Sequence, residues 1–139
     1  MITSFRDMTY LKGYVVNCNA TIISGMTTNV GDLTPEMAKV LDDSNLEYAV
    51  AFGFYDGKYE PALIIPSISV GMAIRLAQDH KQQSFIHDGI MFTLQDGQAF
   101  CHKMGGPDLV LAHDDALQEG APFTEVLLEH GEKARIRYK

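Results

Sequence analysis

A tyrosine and a glutamate flank a tight turn in the middle of the chain, and they are the first candidates for chemistry. Asp56-Gly57 stands between two apolar runs, which is the pattern of a two-residue type I′ β-turn. Such a turn places Glu60 opposite Gly53 on the paired strand. Because side chains alternate across a strand, Tyr55 and Glu60 then emerge on one side as diagonal neighbours, about 7–8 Å apart. A phenol and a carboxylate therefore flank a gap lined only by glycine.

The strand before this turn has one bulky face and one shallow face. The bulky residues are Tyr48, Val50, Phe52 and Phe54, and the shallow ones are Ala49, Ala51 and Gly53. The bulky face predicts packing in a core. The shallow face, ending in Tyr55 and Glu60, suits a surface that a ligand or a neighbouring subunit covers. The alternative interpretation is that both side chains are solvated residues at the end of a hairpin.

Composition and charge narrow the classes of function. The chain of 139 residues is long enough for one domain with its own core, spanning residues 1–139. A net charge of -7, with 11 scattered lysines and arginines, argues against a nucleic-acid partner. No apolar run is long enough to cross a bilayer, and the amino-terminal residues lack the apolar segment of a secretory signal. We expect no membrane partner and a cytoplasmic location.

Cysteines and histidines give no sign of a disulfide or a metal. Cys18 and Cys101 lie far apart in the sequence and are expected to be free thiols. The histidines fall in no spacing typical of zinc: His80, His87, His102, His113 and His130. We therefore predict no metal site.

Apolar periodicity and capping residues predict the order strand, helix, strand, strand, helix, strand. The corresponding ranges are a strand over 14–23, a helix capped by Thr34, strands over 46–55 and 59–66, a helix capped by Ser69, and a strand over 84–87. Further strands are expected over 90–94 and 98–102, then a loop over 104–108, a helical turn over 114–117, a break at 120–122 and a hairpin over 125–128 and 134–138. This order is typical of an α+β, ferredoxin-like βαββαβ sandwich with an additional C-terminal β-hairpin.

The helices should each bury one stripe. In the first, Met37, Val40 and Leu41 form it. In the second, the inward residues are Met72, Ala73, Leu76, Ala77 and His80.

Strand 59–66 is apolar on both sides over residues 62–65, as expected when both sheet faces are buried. Two helices cover only one face. The pattern therefore predicts a small cyclic homo-oligomer that covers the other.

Three segments resemble a family, the bacteriophage-encoded S-adenosylmethionine lyases, formerly called S-adenosylmethionine hydrolases. They are Gly53-Phe54-Tyr55 with Glu60 at the next strand, Arg75-Leu76-Ala77 with Gln83 before a strand, and Gly120-Ala121-Pro122 before a basic, β-like end. Together they cover residues 53–139 in consistent order.

The resemblance implies a compact trimer with active sites between subunits, S-adenosylmethionine as the substrate, no cofactor, and the cytoplasm of an infected bacterial host as location. It implies that Tyr55 and Glu60 are the catalytic pair. The tyrosine-to-glutamate spacing is shorter here than the family's, so Tyr48 and Tyr59 stay open as alternatives for the tyrosine. Tyr48, Gly53, Phe54 and Tyr59 are the expected substrate-binding residues.

The implied reaction cleaves S-adenosylmethionine to 5′-methylthioadenosine and L-homoserine lactone, with the substrate's own carboxylate displacing the sulfonium. Two other classes compete with it. One is a small-molecule sensor, resembling the trimeric PII signalling proteins, that binds S-adenosylmethionine or an adenine nucleotide without cleaving it. The other is an acidic interaction protein that sequesters a host factor.

Overall fold

The computed structural model describes residues 1–27, 31–115 and 122–138. Within them the chain is a mixed α+β fold, mostly one curled antiparallel sheet, with three α-helices. The helices are α1 (Met8–Lys12), α2 (Thr34–Asp43) and α3 (Val70–Asp79), with a π-helical turn at Gly13–Asn17 and a 3₁₀ turn at Ala112–Asp114. The strands are β1 (Thr21–Ser24), β2 (Met26–Thr27), β3 (Gly31–Asp32), β4 (Ala49–Tyr55), β5 (Lys58–Ile65), β6 (Ser84–His87), β7 (Ile90–Gln95), β8 (Gln98–Lys103), β9 (Pro107–Leu111), β10 (Phe123–Leu127) and β11 (Lys133–Tyr138). The predicted α+β class is confirmed.

The large sheet among the described residues has nine strands in the order β8-β7-β6-β1-β5-β4-β10-β11-β9, while β2 and β3 pair separately. β5 lies between β1 and β4 and is antiparallel to both, so β1 and β4 run parallel with α2 connecting them. The two edge strands, β8 and β9, are joined by only residues 104–106. Because four Cα steps span at most about 15 Å, the sheet must curl to bring its edges together.

A core lies on each face of the sheet. On one face, α2 and α3 pack over Ile23, Leu63 and Ile65 of the central strands. On the other, the amino-terminal residues pack against Ala49, Ala51, Ala62, Ile64 and part of the β10–β11 hairpin. The sequence analysis expects an oligomer because one face of the sheet would otherwise be uncovered, but the amino-terminal residues cover that face. Residues 62–65 are buried on both faces, as the sequence indicates, but by the chain itself.

The predicted strand over residues 14–23 is wrong in its first half. The Asp7 side chain caps α1 by accepting a hydrogen bond from the Tyr10 amide at 2.8 Å. Leu11, Tyr14 and Val15 are buried at the three- and four-residue spacing of a helix face. Tyr14 and Val15 are aromatic and β-branched, a composition that favours a strand, but the spacing of the buried residues matches the helical segment that forms. The strand β1 begins only at Thr21.

The two long helices lie where the sequence predicts them. Ser69 caps α3 by accepting from the Met72 amide at 3.1 Å. In α2, Met37 and Leu41 are fully buried, but Val40 is 39% exposed and lies outside the buried stripe. Thr34 is the first residue of α2 rather than its cap, and its amide donates to Asp32 Oδ1 at 2.8 Å.

The C-terminal region holds a strand that the sequence prediction missed. The predicted loop over 104–108 ends at Pro107, where β9 begins and pairs with β11. The predicted final hairpin is confirmed as β10 and β11. The Asp114 end of the predicted helical turn belongs to the 3₁₀ turn, while residues 116–117 of that turn and residues 120–121 of the predicted break lie outside the described residues. No α-helix in the described ranges is both long and apolar enough to cross a membrane.

Replacing Tyr14 by phenylalanine should stabilise the protein. The ring is 5% exposed and packs edge-on against Phe5, yet its hydroxyl has no hydrogen-bond partner in the described part of the chain. Burial raises the pKa of this phenol, and the negative charge of Glu47 raises it further. An unpaired buried polar group costs about 1–3 kcal/mol, so Tyr14→Phe should raise the free energy of unfolding by about 1 kcal/mol, measured with urea at pH 7.

Alkaline pH supplies the control for this substitution. Since the folded-state pKa of Tyr14 is raised, its neutral form favours folding below the unfolded pKa of about 10, and that contribution is lost as the pH rises further. The phenylalanine variant should therefore lose less stability above pH 10 than the native chain. A variant that is less stable at pH 7 would show that the hydroxyl has a partner.

Candidate functional site

The hairpin of β4 and β5 has the turn and register that its sequence predicts. Asp56 and Gly57 both have positive φ, 52° and 76°, as a type I′ turn requires. Gly53 lies opposite Glu60, and the next pairs lead to the turn in regular alternation. The prediction that Tyr55 and Glu60 share a face is therefore supported by the pairing, and Gly53 lies on that same face.

This face points away from α2 and α3, on the side of the sheet that the amino-terminal segment covers further along. Ala51 and Ala62 of the two strands belong to that core. Towards the turn the cover ends, so Gly53 and Glu60 are half-buried and Tyr55 is 71% exposed. The candidate site thus lies where the core opens to solvent.

Glu60 is held by a residue that the sequence analysis did not single out. Ser24, at the end of β1, donates to Glu60 Oε2 at 3.2 Å and is also within 3.3 Å of the Pro61 carbonyl oxygen. The Ser24 oxygen in turn accepts from the Met26 amide at 3.2 Å. The pairing of β1 with β5 brings Ser24 to this place, although Ser24 and Glu60 are 36 residues apart in the sequence.

The backbone conformation does not require glycine at position 53. Its φ is not positive, and a Cβ built there would meet only the Glu60 carbonyl oxygen, at 3.9 Å. The neighbouring residue on β10, Thr124, is 7% exposed. The absence of a side chain at Gly53 therefore leaves space between Tyr55 and Glu60 without a steric need for it in the fold.

Phe54 and Tyr59 lie on the opposite face from Tyr55 and Glu60. The ring of Phe54 stacks on Phe123 with centroids 4.8 Å apart, and Tyr59 packs against Phe54 at 4.9 Å. The guanidinium of Arg135 lies 4.2 Å from the Phe123 ring centroid. The sheet separates this aromatic cluster from the candidate site.

Tyr48 lies in the helix-side core and is 3% exposed. Its hydroxyl donates to Asp42 Oδ2 at 3.1 Å, and burial, followed by this bond, raises the pKa of the phenol. Of the three tyrosines considered for the site, only Tyr55 lies on the same face as Glu60.

Comparison of the chain with protein-family models, characterised proteins and solved structures finds no match.

The chemistry of the site therefore follows from its geometry. Glu60 offers a carboxylate with one oxygen bonded to Ser24, which leaves acceptor positions for an ammonium group or for sugar hydroxyls. Tyr55 offers an exposed phenol that can donate or accept. No group of three or more histidine, cysteine, aspartate or glutamate side chains in the described ranges is arranged to hold a metal. The arrangement is suited to orienting a polar, positively charged small molecule.

Proposed function

We propose that the chain is an S-adenosylmethionine lyase that uses Tyr55 and Glu60 to fold the methionyl chain of its substrate. The observation that carries the proposal is the shared face of these two side chains beside the open position at Gly53. Ser24 adds to it by fixing the carboxylate on that face. The resemblance of residues 53–139 to the lyases supplies the substrate.

The reaction demands little from the protein beyond conformation and surroundings. The nucleophile and the leaving group belong to one molecule, so holding the methionyl chain folded supplies proximity. Carboxylate and sulfonium neutralise each other as the new C–O bond forms and the C–S bond breaks. A pocket with little water therefore favours the transition state over the separated charges.

This charge neutralisation restricts the role of Glu60. A carboxylate against the sulfonium would stabilise the ground state more than the transition state and slow the reaction. Glu60 instead binds the substrate's ammonium group or ribose hydroxyls and fixes the reactive conformer. Tyr55 donates a hydrogen bond that orients the methionyl part, and the net charge of -7 favours capture of a cationic substrate.

A homotrimer with the ligand between subunits completes this proposal. The β4–β5 hairpin exposes large apolar side chains on both faces, with Phe52 53%, Tyr55 71% and Tyr59 50% exposed. A second copy seated there would exclude water from the site. The strand order β6-β1-β5-β4, with helices between β1 and β4 and between β5 and β6, supports the ferredoxin-like interpretation.

Product analysis tests the function. The purified protein is incubated with S-adenosylmethionine and the products are followed by chromatography. We expect 5′-methylthioadenosine and homoserine lactone in equal amounts. Open homoserine formed directly would mean that water is the nucleophile. Intact substrate together with a rise in thermal midpoint would select the PII-like sensor, and intact substrate without binding would contradict both.

Two tyrosine variants identify the functional phenol. Tyr55→Phe should lower kcat/KM for S-adenosylmethionine by about tenfold, the effect of one lost hydrogen bond to a charged or polarised group. Tyr59→Phe is the matched control, because Tyr59 is also exposed on the same hairpin but lies on the other face. Equal losses in the two variants, or a larger loss for Tyr59→Phe, would remove Tyr55 from the proposed site.

A further inference from the structure

A second concave site lies where the two edges of the curled sheet approach each other. A cleft of about 280 Å³ opens beside the segment that connects β8 to β9, near the lower end of the size range of small-molecule pockets. Its walls are mostly apolar and include Val16, Ile90, Met104 and Pro107. No residue of the Tyr55–Glu60 site lines it.

The cleft lies at the opposite end of the strands from the β4–β5 turn. Asp88, on its rim, donates its amide to the Ala20 carbonyl, and the adjacent Thr21 pairs with Ile65 at the far end of β5. Seven residue steps separate Ile65 from Lys58. At about 3.3 Å per step, the two sites are on the order of 20 Å apart.

One carboxylate and one ammonium group stand on the rim of this cleft. Asp88 belongs to a type I′ turn with φ of 50°, and Lys103 ends β8 directly opposite Ile90. Both side chains are exposed, and neither is in an ion pair with another described residue. Burial, followed by the charge of Asp88, raises the pKa of Tyr138 to about 12. The Asp88 carboxylate therefore acts on a phenol that itself lines the cleft.

The loop on the other side of the cleft leaves room for a ligand. Met104 donates its amide to the Gly89 carbonyl at 3.0 Å, which joins the loop to the Asp88 turn. At Gly106, a Cβ would meet nothing within 4 Å, and its φ is not positive. Gly106 lines the cleft, and the fold has room for a larger residue at this position.

We propose that this cleft binds an α-amino acid with an apolar side chain. The ammonium group pairs with Asp88, the carboxylate pairs with Lys103, and the side chain lies between Val16, Ile90 and Met104. A simple amine or a simple acid would satisfy only one of the two rim charges. A zwitterion satisfies both, since the ammonium nitrogen and the carboxylate carbon of an α-amino acid are each bonded directly to its Cα, and the long Lys103 side chain can adjust to this short separation.

Titration of the full chain with L-methionine, L-leucine and L-phenylalanine tests the proposal, with binding followed by amide NMR shifts up to about 10 mM. We expect saturable shifts at Gly89, Ile90 and Gly106. N-acetyl-L-leucine, which lacks the ammonium group, and isoamylamine, which lacks the carboxylate, should each bind about tenfold more weakly or worse.

Matched variants locate the binding. Asp88→Asn and Lys103→Gln should each weaken binding by about tenfold or more. Asp96→Asn is the control, because Asp96 occupies the same position in the next type I′ turn, with φ of 52°, away from the cleft. Absence of shifts at the cleft with all three amino acids, or unchanged affinity in both rim variants, would overturn the proposal. S-adenosylmethionine is not used, so this result is independent of lyase activity.

Discussion

Glu60→Gln should reduce turnover of S-adenosylmethionine by about a hundredfold, the loss typical of a misplaced reacting conformer. The substitution keeps the size of the side chain and leaves an oxygen that can accept from Ser24, so the local hydrogen bond is retained. What it removes is the negative charge that binds the ammonium or ribose hydroxyls. Initial rates of methylthioadenosine formation, with kcat and KM determined separately, measure the effect.

A second glutamate on the surface provides the control for this experiment. Glu129 is exposed and lies in the β10–β11 connection. Glu129→Gln therefore changes the net charge by the same amount as Glu60→Gln and leaves the β4–β5 hairpin unchanged. The oligomeric state and the circular dichroism of both variants should match those of the native chain. Near-native turnover in Glu60→Gln would remove Glu60 from the site, and with it the main structural support for lyase chemistry.

Asp115→Asn should cause the largest loss of stability among single substitutions outside the apolar cores. The Asp115 side chain is 1% exposed and accepts from Arg135 at 3.0 Å and from Arg137 at 2.7 Å. Burial alone would lower the pKa of Arg135, but the bonds to Asp115 and Glu125 outweigh it and the pKa is raised. Asp115→Asn removes the negative charge from this buried ion-pair cluster, and breaking a buried ion pair costs about 3–5 kcal/mol.

Urea unfolding at pH 7 measures this loss, and Asp114→Asn is the control. Asp114 is adjacent in sequence, but its side chain is 64% exposed, and so is that of its ion-pair partner His113, at 62%. Its substitution should change the free energy of unfolding by less than about 0.5 kcal/mol. A native-like unfolding midpoint for Asp115→Asn would show that the arginine cluster does not stabilise the C-terminal hairpin.

Local signals in the sequence predicted the elements that surround the candidate site. Asp56-Gly57 predicts the type I′ turn, and this turn fixes the register in which Gly53 lies opposite Glu60. Ser69 capped its helix as expected. These features depend on residues within a few positions of one another, which is why the face shared by Tyr55 and Glu60 was predictable.

Features that depend on distant pairing were not predictable. The contact of Ser24 with Glu60 requires β1 to lie beside β5, and the position of β9 beside β11 requires the sheet to curl. Tyr14 and Val15 favour a strand by composition, yet they lie in the helical amino-terminal segment. This helical segment covers one face of the sheet, so residues 62–65 are buried on both faces without another copy of the chain.

Binding of S-adenosylhomocysteine, followed by amide NMR shifts across the native chain, tests the central claim most directly. This molecule has a neutral thioether in place of the sulfonium, so internal displacement cannot cleave it and the complex persists. The account predicts the largest shifts at Gly53, Tyr55 and Glu60. Shifts confined to other regions, such as the cleft at Gly89 and Gly106, would contradict it.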